Sequence, residues 1–450
     1  MSEKREFFGT DGVRAVANRH PMTPEFVMRL GQAAAVVLGK GKTRPVCVVG
    51  RDTRASGDML EAAMAAGLNS VGADVKLVGM IPTPAVAMLA AKTGADIGVI
   101  VSASHNPFYD NGIKFVHGNG YKLDDATERE IEKLVLGGDG SLPRPEGRGI
   151  GRIQKIEDAV EQYVAHAVKS TEGVKLDGIS VALDNAHGAA SYTSALALEQ
   201  LGANVQVFHS EPDGFNINEE CGCTHPDEIE RLVGQTKAQA GLAHDGDADR
   251  ILLCDENADA LDGDELLAIA AEWMLRKGTL KESTLAVTIM SNYGLDDLVS
   301  RMGGRVVRTN VGDRYVLSAM RERKLNLGGE QSGHMIFGDW ATTGDGLIAG
   351  LQLLRVMKET GEPLSELRKC LKKFPQAARN LRVSSKPAIE TLEAQKIIRE
   401  TEKKLGDYGR VLLRYSGTEP LIRLLLEGRD VEYLEAQADK ISSAILAQIG

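Results

Sequence analysis

Aromatic residues make up only 4% of the 450-residue chain, with two tryptophans. That scarcity argues against a surface built to stack nucleic-acid bases. Basic residues are outnumbered, 53 to 63 acidic, and the net charge is −10. An acidic chain repels phosphate backbones, so nucleic acid is not an expected partner. Cysteine is sparse as well. Cys47, Cys221, Cys223, Cys254 and Cys370 are odd in number and irregular in spacing. This excludes a disulfide framework and fits a reducing compartment. Cys221-Gly222-Cys223 has no second cysteine pair at zinc spacing and reads as a pair of loop cysteines. Uninterrupted apolar runs of roughly 18 residues, the length of a membrane span, are missing. The opening Met-Ser-Glu-Lys-Arg-Glu has no apolar stretch of a signal peptide. A cytoplasmic location with no membrane partner is expected.

What remains is an ordinary globular balance, 43% hydrophobic and 26% charged. Its organisation is a structural repeat. Short β-branched runs begin at Val46, Ile179 and Leu285, each stopping at a polar loop. A second run follows in each copy, opening at Gly72, Gly202 and Gly303. A third, at Ile97–Val101, Gly241–Ala243 and Leu325–Leu327, ends at a chemically rich loop, and a fourth, at Gly112–Val116, Ile251–Cys254 and Met335–Phe337, returns close enough to pair antiparallel. Strands alternating with helices imply parallel pairing with right-handed crossovers. The last 75 or so residues read differently, as strand, helix, strand, strand, helix. The expected fold class is α/β, with three similar mixed-sheet domains plus a C-terminal α+β domain around a central cleft. The expected limits are 1–153, 154–256, 257–373 and 374–450.

Four loops carry the chemistry. Ser104 lies in Ala103-Ser104-His105-Asn106-Pro107, directly after the apolar run Ile97–Val101. Loops at strand C-termini form the ligand crevice of open α/β sheets. A serine there is more often a turn former or helix cap, and its hydroxyl needs activation or prior phosphorylation to react. His105 adjoins it, although adjacency in sequence does not make a nucleophile–base pair. Asp245, Asp247 and Asp249 alternate with small residues, so three carboxylates can converge on one hard cation. This is not a calcium EF-hand, because Arg250 stands where that loop requires glycine. In Gly329-Glu330-Gln331-Ser332-Gly333-His334, Glu330 can accept hydrogen bonds from two sugar hydroxyls or contact an ammonium, while Ser332 and His334 add donors. Around Gly417, the Arg414 guanidinium and the Ser416 and Thr418 hydroxyls can surround a phosphate, with Arg423 on the next strand. The N-terminal Gly9-Thr10-Asp11-Gly12-Val13-Arg14 reads as a tight loop that brings Arg14 inward; it is not a Walker A loop. Lys114, on the strand returning from the serine loop, puts an amine near Ser104.

In motif content and order, the chain resembles the α-D-phosphohexomutases over essentially its whole length. The resemblance rests on Phe8 to Arg14, Ser102 to Pro107, Asp245 to Arg250, Gly329 to His334 and Arg414 to Pro420. The Gly-Glu-Gln-Ser-Gly-His sequence leans toward the glucosamine branch. Ala15 and Tyr415 depart from the usual family residues. The resemblance implies that Ser104 is a phosphoserine in the active enzyme. It implies Mg²⁺ ligation by Asp245, Asp247 and Asp249, with the Ser104 phosphate completing the shell. Glu330 and Ser332 would read the sugar. Arg414, Ser416, Gly417, Thr418 and Arg423 would hold the non-reacting phosphate. Lys114 and His334 would serve as acid/base or cleft-polarity groups, His105 is a further catalytic candidate, and Arg14 and Arg250 would stabilise the transferring group. The implied reaction interconverts glucosamine 6-phosphate and glucosamine 1-phosphate, with glucosamine or glucose 1,6-bisphosphate as intermediate or activator. The partner is then a small phosphosugar, and a homodimer is compatible with this reading. The alternatives are turnover of mannose or glucose phosphates, a non-catalytic phosphosugar-binding protein, and a metal-dependent phosphatase.

Overall fold

The computed structural model describes residues 5–9, 11–137, 142–416 and 420–450. The described residues form four sheets. The first contains β1 (Val13–Val16), β2 (Val46–Arg51), β3 (Asp74–Met80), β4 (Ile97–Val101), β5 (Asp110–His117) and β6 (Ile153–Lys155). The second contains β7 (Ser180–Asp184), β8 (Asn204–Phe208), β9 (Ala240–His244), β10 (Ile251–Asp255) and β11 (Ala260–Leu261). The third contains β12 (Thr284–Thr288), β13 (Arg305–Thr309), β14 (Leu327–Gly329) and β15 (Met335–Phe337). The fourth contains β16 (Gln376–Arg382), β17 (Arg410–Tyr415) and β18 (Leu421–Glu427).

The first three sheets repeat one motif. Their shared cores run β3-β2-β4-β5, β8-β7-β9-β10 and β13-β12-β14-β15. In each, the first three strands pair parallel and the fourth returns antiparallel. The central strands are largely apolar, as expected of strands covered on both faces. β4, Ile-Gly-Val-Ile-Val, is buried at every position. The loops after β4, β9 and β14 therefore emerge at equivalent places, and these carry Ser104, the aspartates and Glu330. This is the repeat expected from the sequence. The fourth sheet is antiparallel, ordered β16-β18-β17, and is packed by the helices Ala394–Leu405 and Val431–Ile449.

Two differences from the sequence reading have local causes. The run Leu325-Asn326-Leu327 is displaced toward Gly329 as β14, because Asn326 is not a strand residue. Its side chain donates to Thr279 O (3.0 Å) and Asp339 Oδ2 (2.6 Å) and accepts from Lys281 N (2.9 Å). The N-terminal Gly-Thr-Asp-Gly-Val-Arg segment is not wholly a loop. Its end enters β1 at the edge of the first sheet, where Arg14 pairs with Gly112 of β5. β6 lies across the expected limit at residue 153.

One continuous hydrophobic cluster runs through the first three domains, from Val48 and Ile100 through Leu183 and Leu242 to Val287 and Leu327. The fourth domain has its own core, centred on Ile422, Leu424, Leu426, Ile441 and Ile445. Each such side chain contributes about 1.5–3 kcal/mol on burial. No helix among the described residues is long and apolar enough to cross a membrane.

Candidate active site

Ser104 is buried and left-handed, with φ 54°. That conformation is uncommon for a residue with a side chain. It is held by a dense backbone cradle. Ser104 N donates to Ser102 Oγ (2.9 Å), and Ser102 Oγ donates to Asp52 Oδ2 (2.6 Å). Asp52 pairs with the fully buried Arg54 at 2.8 Å. Arg54 then donates to the carbonyls of Ser104 (2.9 Å), Asn106 (2.7 Å) and Asp110 (3.0 Å), and also to Pro107 O. From the second domain, Asn218 Nδ2 donates to Ser104 O (3.0 Å) and Asn106 O (3.2 Å).

The aspartate loop joins β9 to β10 and presses against this cradle. Ser104 Oγ donates to Asp245 Oδ2 at 2.7 Å. A Cβ at Gly246 would lie 2.7 Å from Ser104 O, so only glycine allows the two loops to touch. One carboxylate oxygen from each of Asp245, Asp247 and Asp249 lies within 4.8 Å of the others, and all three residues are buried. Thr83 Oγ1 (2.6 Å) and Lys114 Nζ (2.9 Å) donate to Asp247 Oδ2. Asp247 Oδ1 and Asp249 Oδ1 are buried without a hydrogen-bond partner. Three converging carboxylates with orphaned oxygens fit a hard divalent cation. Burial, then Asp249 and Asp247, push the Asp245 carboxyl up to about 8. Burial opposes ionisation of Asp249 too, but Lys114 and His334 outweigh it and hold that carboxyl below the usual range.

Cations and histidines ring the triad. Lys114 contacts Asp11 (2.9 Å), Asp247 (2.9 Å) and Asp249 (3.6 Å). Burial lowers its pKa, but these three carboxylates win, so Lys114 is a fixed ammonium here. His105 Nδ1 lies 3.3 Å from Ser104 Oγ. Burial, Arg250 and Arg14 drop its pKa to about 4, leaving a neutral imidazole at pH 7. His334 is the opposite case. Burial disfavours its charge, yet Asp249 (3.5 Å) and Asp313 (3.4 Å) flank it and raise its pKa to about 9. The Gly344 N–H points at Nε2 (3.1 Å), a contact suited to neutral imidazole. Two carboxylates outweigh one amide dipole, so imidazolium is favoured. Arg14 pairs with Asp11 at 2.5 Å and reaches Ala103 O at 3.4 Å. Glu330 accepts from Gly312 N (3.2 Å), and burial raises its pKa, with His334 opposing.

Arg14, His105, Asp249, Arg250, Glu330, Ser332 and His334 are among the residues that line one cleft of about 480 Å³, whereas Ser104, Asp245, Asp247 and Lys114 are buried and outside its lining. Four sequence-family profiles match along the chain. They describe phosphoglucomutase/phosphomannomutase alpha/beta/alpha domains I (residues 5–140), II (161–259) and III (262–374) and the C-terminal domain (353–444). Relatives called phosphoglucosamine mutase include that of Moorella thermoacetica, 51% identical over 96% of this chain and 97% of its own. Another, from Carboxydothermus hydrogenoformans, is 50% identical over 98% and 99%. The chain belongs to the phosphoglucosamine mutase family of phosphohexomutases. The enzyme's fold is shared with solved structures of low identity. A phosphoglucomutase/phosphomannomutase family protein of Burkholderia thailandensis has a TM-score of 0.82 at 24% identity, covering 98% of both chains. An N-acetylphosphoglucosamine mutase of Aspergillus fumigatus, solved with GlcNAc-6P and magnesium, has 0.67 at 18%, covering 98% and 96%.

In this phosphohexomutase no described residue of the fourth domain lines the cleft. Arg414 and Arg423 sit directly opposite each other on β17 and β18. Burial, then Arg423, lowers the Arg414 pKa, a strain that a bound anion would relieve. Ser416 is buried, and Lys386 Nζ donates to its carbonyl at 2.7 Å. Gly417 and Thr418 lie outside the described residues. Arg414, Ser416 and Arg423 do not line the cleft that holds Arg14 and Glu330. Sequence reasoning missed Asp11, Arg54, Thr83, Asn218, Lys122 and Asp313. Lys122 bridges Asp11 (2.6 Å) and Asp313, tying the first domain to the third. Asp11 was in a motif already singled out, and its place two residues before β1 was the available signal. The others gain their roles only through contacts far along the chain.

Proposed function

We propose that the enzyme moves a phosphoryl group between Ser104 and the two ends of glucosamine phosphate. The observation that carries this is Ser104 Oγ at 2.7 Å from Asp245, beside two further buried carboxylates. With Ser104 phosphorylated, the C1 hydroxyl oxygen of glucosamine 6-phosphate bonds to phosphorus as the Oγ–phosphorus bond breaks. His105, neutral near pH 7 and adjacent to Oγ, takes the hydroxyl proton and returns one to the serine. Glucosamine 1,6-bisphosphate then reorients in the cleft, and its 6-phosphate returns to Ser104, leaving glucosamine 1-phosphate. A cation held by Asp245, Asp247 and Asp249 supplies charge neutralisation for the transferring group. Mg²⁺ is the reading for that cation, supported by the all-oxygen donor set and by the magnesium named for the Aspergillus relative. Arg14 and Arg250 add positive charge at the cleft mouth, and Lys114 and His334 fix the carboxylates as paired cations.

Glu330 and Ser332 read sugar hydroxyls or the ammonium. Arg414, Ser416, Gly417, Thr418 and Arg423 hold whichever phosphate is not reacting. Intact mass of Ser104→Ala should lack the one transferable phosphate, and its mutase turnover should fall below detection even with glucose 1,6-bisphosphate supplied. Turnover surviving in that variant removes the covalent step. Chelation should silence the native enzyme, and Mg²⁺ should restore it. Free phosphate released as fast as isomer forms would instead mark a phosphatase.

A further inference from the structure

We infer that Asp184, His209 and Cys221 form a second metal site, suited to a borderline-soft ion such as Zn²⁺ and distinct from the aspartate triad. Asp184 ends β7, which runs parallel to β8 with Asp184 opposite Phe208. His209 is the next residue, so both side chains leave from adjacent strand C-termini. Cys221 returns to them from the loop before the helix Pro226–Thr236. One donor atom from each lies within 4.8 Å of the other two. Asp184 and Cys221 are fully buried.

The groups behind these donors are in place as well. His209 Nδ1 is buried 3.2 Å from Asp184 Oδ1 but has no hydrogen bond of acceptable geometry. Its other nitrogen, Nε2, lies 3.4 Å from Glu228 Oε1. A carboxylate behind the far nitrogen is how ligating histidines are held in one tautomer. Asp184 is oriented by the N–H groups of Ala186 (2.8 Å) and Gly222 (2.8 Å). A thiolate, an imidazole and one carboxylate oxygen form a zinc donor set with a fourth position open. Magnesium, which prefers oxygen throughout, does not compete for it. The cysteine spacing conceals the site because its other ligands come from two strand ends. An ion here would pin the loop that carries Asn218, whose amide holds the Ser104 loop.

Cobalt separates this site from the triad, because only a thiolate gives a sulfur-to-cobalt charge-transfer absorption. The probe is Co²⁺ titrated into the full-length, metal-free enzyme in excess Mg²⁺. One equivalent should produce that band. Cys221→Ser should abolish it, and Asp247→Asn should leave it intact. His209→Ala should weaken cobalt binding at least tenfold, and Glu228→Gln about tenfold, as expected for a ligand's supporting carboxylate. His209 is partly exposed, so its variant tests the site even if the buried cysteine change harms folding. Absence of the band in the native enzyme would mean an ion pair beside a buried thiol only, and it overturns the inference. So does a band that survives His209→Ala at undiminished affinity.

Discussion

Arg54 shows how much a single buried cation can organise. Its guanidinium neutralises Asp52 and fans out to four carbonyls of the Ser104 loop. Removing one partner of a buried pair strands the other charge, which costs about 3–5 kcal/mol. Arg54→Met should lose that much in urea unfolding, and Arg54→Lys should recover little, since an ammonium lacks the fork. An Arg54→Met protein of native stability would show the cradle to be dispensable. This residue was not legible as functional in the sequence. It sits in a polar loop, Gly50 to Arg54, whose partners lie some fifty residues away. Ser104 and the aspartates were legible because each motif packs several chemical groups into a few adjacent residues.

At the level of elements, strand ends decide most of the site, and helix starts decide some of its stability. Asp345 caps the helix Gly346–Thr360, accepting from Ile348 N (2.9 Å) and Tyr163 Oη (2.9 Å). Burial pushes its carboxyl up to about 6, against about 4 in an unfolded chain. The folded enzyme therefore binds the proton more tightly. Asp345 contributes stability that is fully present below about pH 4 and lost as pH rises through about 6. Asp345→Asn removes this titration. The native enzyme's stability relative to the variant should fall by about 2 kcal/mol between pH 4 and pH 7 in urea unfolding; parallel curves would contradict the assignment. β4 and β15 could be read residue for residue, being unbroken apolar runs between turns. β14 could not, because its Gly328 and Gly329 resemble loop residues in sequence. In the fold they are demanded by contact, since a Cβ on Gly328 would lie 2.9 Å from Ala286 O and one on Gly329 2.6 Å from His334 O.

On the scale of the whole molecule, the fourth domain keeps its own core beside the third. It meets that domain through Arg410 Nη2 to Ser291 O (2.8 Å), Asn292 Nδ2 to Phe374 O (3.0 Å) and Arg429 to Asp297 (3.3 Å). Its paired arginines are not among the residues lining the cleft, so a bound bisphosphate should draw the domain inward. Solution scattering should report a smaller radius of gyration with glucose 1,6-bisphosphate than without it, and an unchanged radius would refute closure. Arg423→Ala should raise KM about tenfold or more while altering kcat less, the mark of a binding contact made throughout the reaction. Equal losses in both would assign Arg423 to the transition state instead. The sequence order of domains and motifs was plain, but their relative placement was not, because it depends on surfaces that no local pattern encodes. The contact at Gly246 has one more consequence. On the proposed mechanism, it would make Ser104 and the three carboxylates a single jaw, held fixed relative to one another while the sugar turns end for end. All the accommodation of two opposite poses must then come from the opposing jaw, and substitutions that trap the reaction halfway should be found there.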